Sequence, residues 1–172
     1  MPITVRANPV QVAWSHFRPV DSIPGSSENA QINPIISGLQ NLQPMRTPGG
    51  RFRLPTLTLT VGINSALTLV LNTAEQTSEL LSHEQRHYDI QILAARAMAR
   101  EMETLETATV SDLVTQLEQT QTTHNDRAQS IQDAYDLQTQ HGADQTAQGR
   151  WDTAIRQALG NPRAAQLMNL PL

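Results

Sequence analysis

A chain of 172 residues has room for one folded unit with a core and a cleft, and its formal net charge of -4 gives no reason to expect nucleic acid or an anionic membrane as partner. There is no cysteine. That removes disulfides, a thiol nucleophile and any thiolate metal site, so a metal would have to be held by His, Asp or Glu. Aromatic residues make up only 3% of the chain, so the core has to be built mainly from Leu, Ile, Val, Ala and Met.

The N-terminal Met1-Pro2-Ile3-Thr4-Val5-Arg6 has no apolar stretch behind a basic start, and no apolar run of about 18 residues occurs anywhere. Neither a Sec signal nor a transmembrane helix is expected, and the chain reads as cytoplasmic or exported by a non-Sec route. Residues 1–73 read as strands and turns. Thr4 to Trp14 alternates loosely, segments 21–29 (DSIPGSSEN) and 43–50 (QPMRTPGG) are turn-rich, and Ile32 to Ile36 is a short apolar piece between them. In the clearest β pattern Leu57, Leu59 and Val61 alternate with Thr58 and Thr60. A turn fits at Gly62-Ile63-Asn64-Ser65, and Leu67, Leu69 and Leu71 alternate again, which predicts a hairpin.

From Thr73 the period changes. Thr73 with Gln76 fits a capping box, and Leu80, His83, His87, Ile90, Ala94 and Met98 recur at three- and four-residue steps, predicting one long helix to about Glu106. A second helix is predicted from an N-cap at Ser111. Leu113, Leu117, His124, Ala128, Ile131 and Tyr135 form its narrow apolar stripe, and Gly142 is its stop. A third, from about Asp144, carries Trp151, Ile155 and Leu159 before Gly160-Asn161-Pro162 ends it, and residues 161–172 read as a tail. The predicted fold class is α+β in a single domain over 1–172: an N-terminal antiparallel β-sheet (1–73) followed by the long helix and two further helices (74–160).

The start of the long helix carries His83-Glu84-Gln85-Arg86-His87, an H-E-x-x-H pattern. At this chain's own His and Glu frequencies the pattern arises by accident with a chance of about 0.7%, so its context has to carry part of the argument. Residues four apart share a helix face, so His83 and His87 can offer imidazole nitrogens to one zinc ion while Glu84 stands beside the open coordination position. A catalytic zinc has three protein ligands and a water, and the third must come from elsewhere. Ile90 and Leu93 stand where the short-spaced metzincin pattern would have Gly and His, while Glu103 and Glu106 lie too far along the helix axis. His16, His124 and His141 remain, with Glu118 and Asp136, and spacing alone does not separate His141 from Glu118 or Asp136. Asp89 and Asp136 are also candidates to hydrogen-bond a ligand histidine.

Three blocks carry a resemblance: LLSHEQRHYDI at 80–90, YDLQTQHG at 135–142 and QGRWD at 148–152. Together they resemble a family of predicted, often secreted, bacterial zinc-dependent proteases known as a domain of unknown function. The resemblance implies a zincin-like fold with His83, His87 and His141 as zinc ligands, Glu84 as catalytic base and Tyr135 near the site. Arg86 departs from the small residue usual at its place. On this reading the protein is a zinc-dependent peptidase acting on a peptide or protein substrate, with no nucleic acid partner and no membrane insertion. Three neutral imidazoles would lower the pKa of a zinc-bound water from 15.7 to about 7, Glu84 would take its proton, and Tyr135 could donate to the developing oxyanion or simply end the core stripe. Leu67 to Leu71 is the candidate edge strand for pairing with an extended substrate. A binding or effector module with a vestigial motif, and a zinc amidase acting on small molecules, are the alternatives. All twelve basic residues are Arg. The absence of Lys fits a genome that favours Arg, a protein delivered into a eukaryotic cell, or a protease that cleaves beside lysine.

Overall fold

The computed structural model describes residues 3–26, 28–40 and 42–172. Met1 and Pro2 of the N-terminal segment, Ser27 of turn segment 21–29 and Asn41 lie outside the described residues. The elements in order are β1 (Ile3–Ala7), a single 3-10 turn (Trp14–His16), β2 (Arg18–Val20), β3 (Ala30–Gln31), β4 (Pro34–Ser37), β5 (Met45–Arg46), β6 (Phe52–Arg53), β7 (Leu57–Ile63) and β8 (Leu69–Leu71). Helices α1 (Ser78–Thr104), α2 (Val110–Thr139) and α3 (Gln145–Gly160) follow, and β9 (Gln166–Leu167) and β10 (Leu170–Pro171) close the chain. The architecture is α+β, with several small sheets and three helices.

β7 is the centre of one three-stranded sheet, with β1 parallel on one side and β4 antiparallel on the other. β8 is the centre of a second, between parallel β2 and antiparallel β3. The sheets are therefore mixed rather than antiparallel, and the expected hairpin between β7 and β8 is not formed. At its end the Asn64 N–H bonds to the Asn33 carbonyl, while the Asn64 carbonyl takes the N–H groups of Leu67 and Thr68. This turn sends the chain into the other sheet. Alternation fixes which face of a strand is buried but does not choose its partner. Because β8 is flanked on both sides, Leu67 to Leu71 offers no free edge to a substrate.

The first two helices are capped four and two residues from their predicted caps, through the same capping chemistry. Thr77, rather than Thr73, accepts the Leu80 N–H, and Thr109, rather than Ser111, accepts that of Asp112. α3 begins where expected, and there Asp144 is the cap, accepting from Thr146 and Ala147.

α1 buries more than the single stripe read from its sequence. Ile90, Leu93 and Ala97 pack with Ile131, Tyr135, Trp151 and Ile155 of α2 and α3. Tyr88, Ile92 and Ala95 pack on Val61, Val70 and Ile32 of the sheet side, and Met98, Ala99 and Met102 on Leu59, Leu113 and Leu117. Packed on three faces in this way, α1 is the axis of the molecule. Residues 161–172 are folded rather than a tail: Met168 and Asn169 both take positive φ, as a two-residue hairpin turn requires, and Leu167 and Leu172 enter the core. Among the described residues no helix is long and apolar enough to cross a membrane.

The hydroxyl of Tyr88 joins α1 to the sheet. It accepts the Asn8 N–H (3.1 Å) and donates to the Val61 carbonyl (2.7 Å), with that of Pro9 also in reach (2.9 Å). Tyr88→Phe leaves buried polar backbone without this partner and is expected to lower the unfolding free energy by about 1–2 kcal/mol, read as a lower urea midpoint at unchanged slope.

Candidate metal centre

Thr77 starts α1 so that His83 and His87 fall in its second and third turns, facing α2. Their Nε2 atoms lie 3.2 Å apart. Asp136, in the last turn of α2, places Oδ1 3.1 Å from His83 Nε2 and 2.9 Å from His87 Nε2. Three donors around a tetrahedral cation with bonds of 2.0–2.1 Å stand about 3.3 Å apart. The triangle of His83, His87 and Asp136 thus has the size of a metal-ion site, with two imidazoles and a carboxylate as donors.

Each imidazole is turned by a partner on its other nitrogen. His83 Nδ1 lies 3.2 Å from Gln148 Oε1 on α3, and His87 Nδ1 contacts Gln132 Oε1 on α2. An Nδ1–H donated to an amide oxygen leaves the Nε2 lone pair for a cation. Gln148 is fixed in turn: its Nε2 donates to Tyr135 Oη (2.7 Å) and to Asp152 Oδ1 (2.9 Å), and Asp152 accepts from Arg86 Nε (2.8 Å). Arg86, which the resemblance did not explain, thus bridges Asp152 and Asp89 and locks α3 against α1. Asp89 is held by Arg86 and by Gln85 (2.8 Å), not by a histidine.

Tyr135 is fully buried behind the site. Its ring stacks on His83 with centroids 4.7 Å apart and meets His87 and Trp151 edge on. Its hydroxyl is engaged by Gln148 and it does not line the cavity, so the structure puts it in a packing and orienting place rather than where an oxyanion would form. His141 lies beyond the left-handed end of α2, where Gln140, His141 and Gly142 all have positive φ. Its side chain is 54% exposed, with Nδ1 2.8 Å from Glu28 Oε1 and 3.9 Å from Asp136 Oδ1. The histidine pair is therefore joined by Asp136, an alternative that spacing had left open, and His141 stands beside the triangle. Gly142 allows this approach: a Cβ there would sit 3.3 Å from the His83 ring, at a φ that side chains resist. The other candidates lie apart. His124 is buried against Glu101 (3.0 Å), His16 caps Ala13, and exposed Glu118 is about 27 Å from Asp136 along the α2 axis.

Glu84 is buried on the sheet side of α1, where its Oε2 accepts the Ile32 N–H at 2.8 Å. Burial raises its carboxyl above the usual range, although the charges of His87 and His83 and the Ile32 N–H pull the other way. Glu84, His87 and Asp136 share a cavity of about 410 Å³ with Glu28, Ile32, Gln132 and Asp133. A neighbouring cavity of about 330 Å³ shares Pro34, Gln91, Gln129 and Gln132 with it, so the two make one groove between β4 and α2. Sequence reasoning missed Gln132 and Glu28. Gln132 could have been found from its place one turn before Asp136, the same spacing as His83 and His87.

Burial alone would push the His87 imidazole down, but its hydrogen bond to Asp136 and the charges of Glu84 and Asp136 outweigh this and hold it at about 9. Burial would likewise raise Asp136, yet the hydrogen bonds from His83 and His87 carry it well below the usual carboxylate range. The protonated His87 and the ionised Asp136 thus stabilise each other in the folded state. The folded value of His87 lies above its ordinary 6.5, so this stabilisation is complete below pH 6.5 and is lost as pH rises through about 9. The metal-free protein is therefore expected to show a falling urea midpoint across that window, a slope that Asp136→Asn abolishes. A divalent ion taken up by these three residues at neutral pH would release about one proton, measured by calorimetry in buffers of different ionisation enthalpy.

A family model described as a bacterial protein of unknown function (DUF922) matches residues 52–142. No curated protein and no solved structure matches the chain.

Proposed function

The chain belongs to this bacterial DUF922 family, and we propose that it is a zinc-dependent peptidase in which Glu84 activates the attacking water. The observation that carries the reading is the placement of Glu84: a buried carboxylate in the same groove as a donor triangle of zinc size. A zinc ion on His83, His87 and Asp136 would supply the positive charge that acidifies water and polarises a carbonyl. Asp136 brings a negative charge that a third imidazole would not, so less acidification comes from the ion and more of the proton transfer falls to Glu84.

The raised proton affinity of Glu84 suits that work, because burial makes its carboxylate a stronger base than an exposed one. The Ile32 N–H anchors Oε2, leaving Oε1 to take the proton from water and deliver it to the leaving amine. Gln148 and Gln132 keep the two imidazoles from turning. β4 pairs with β7 on one edge, and its other edge, unpaired among the described residues, borders the groove at Pro34, Ile35 and Ile36. An extended peptide can add to that edge by backbone hydrogen bonds, which brings its scissile carbonyl past Glu84. An open groove of this kind suits a polymer better than the small substrate of an amidase.

Glu84→Gln separates the peptidase from a binding module. The zinc-loaded variant is expected to keep its metal while kcat on a peptide library falls 10²- to 10⁴-fold, and hydrolysis at the wild-type rate, or a wild type that holds no zinc, overturns the reading. Methylating one backbone nitrogen of a cleaved peptide on the side facing β4 is expected to raise KM by about tenfold with little change in kcat.

A further inference from the structure

His141 and Glu28 take no part in the chemistry above, although Glu28 lines the same groove and His141 stands against it. We propose that Glu28, Asp136 and His141 hold a second divalent cation, sharing Asp136 with the first, so that the centre binds two metal ions. This rests on the reading of His83, His87 and Asp136 as a zinc site.

The geometry comes from three separate segments: Glu28 precedes β3, Asp136 lies in the last turn of α2, and His141 follows it beyond the left-handed turn. Two donors of one cation can be no farther apart than twice the bond length, about 4.2 Å for zinc. His141 Nδ1 lies 2.8 Å from Glu28 Oε1 and 3.9 Å from Asp136 Oδ1, and all three donor atoms fall within 4.8 Å of one another. The remaining adjustment is a small rotation of the half-exposed His141 side chain and of Glu28. The contacts of Asp136 with all three histidines fall on Oδ1. A carboxylate has a second oxygen to offer, and a bridging aspartate places two ions about 3.5–4 Å apart, the spacing of two-metal hydrolases.

Charge points the same way. The cavity is lined by Glu28, Glu84, Asp133 and Asp136 and by no arginine. Four formal negative charges against one divalent ion leave two uncompensated, and a second ion balances them. Such an ion would also pin the loop carrying Glu28 to the end of α2 and give the groove a second electrophile for an oxygen of the substrate.

The test uses the full chain, stripped of metal and titrated with zinc chloride alone, with stoichiometry read by native mass spectrometry and by elemental analysis after dialysis. Two ions per chain are expected in the wild type, one in Glu28→Gln and one in His141→Ala, with Asp136→Ala losing both. Cobalt substitution is expected to give spin-coupled ions in the wild type and an uncoupled signal in His141→Ala. A single ion in the wild type, or two ions that survive both Glu28→Gln and His141→Ala, overturns the second site and leaves the first standing. A wild type with one ion that His141→Ala abolishes also overturns it, because His141 is then a ligand of the only metal. No zinc in the wild type overturns both.

Discussion

The Nε2 atoms of His83 and His87 meet over one carboxylate oxygen because α1 has no freedom to rotate. From Tyr88 to Met102 it is packed against α2 and α3 on one side and the strands on the other. Each buried side chain of this kind is worth about 1.5–3 kcal/mol, and together they fix the helix's azimuth. The two imidazoles lie just before this stretch, His83 itself buried and His87 lining the groove. Arg86, one residue before His87, makes the lock tighter by spanning Asp152 and Asp89.

Asp136 is the charge around which the site is arranged. It stands in the last turn of α2, where the helix already presents partial negative charge and no basic residue in that turn offsets it. A carboxylate there, largely removed from water, calls for positive charge from outside its own helix. The two imidazoles answer that call across the α1 and α2 interface, and a metal ion would answer it more strongly. Tyr135, next to Asp136, underlies the arrangement: its ring supports His83 while its hydroxyl holds the glutamine that orients the same histidine.

The strands serve the site in two ways. The Ile32 N–H reaches Glu84 across the groove, so the loop between β3 and β4 helps to set the position of the base. β4 then runs on from that point as the outer strand of its sheet. The groove therefore has a helix wall carrying polar side chains and a strand wall carrying backbone, and the buried carboxylate lies at their junction.

The three helices, the start of α3, the pair His83 and His87 and the neighbouring Glu84 are legible in the sequence, because helical period, turn residues and spacing of four are local properties of a chain. The sequence also placed Asp136 among the residues able to join the histidines, but could not rank it above His141. That ranking depends on where α2 ends and how far the left-handed turn carries His141 outward, which is set by the packing of Tyr135 and by Gly142 lying against His83. The partners of β7 and β8 were not legible either, since alternation gives a strand a face and not a neighbour. Nor was the folding of residues 161–172, where Leu167 and Leu172 stay in the core only because α2 and α3 leave them a place. What the sequence by itself determined is the chemistry available to the site. Which atoms meet was decided by the tertiary structure, because the donors lie on α1, α2 and the segments flanking them, and only the packed core brings those within bonding distance.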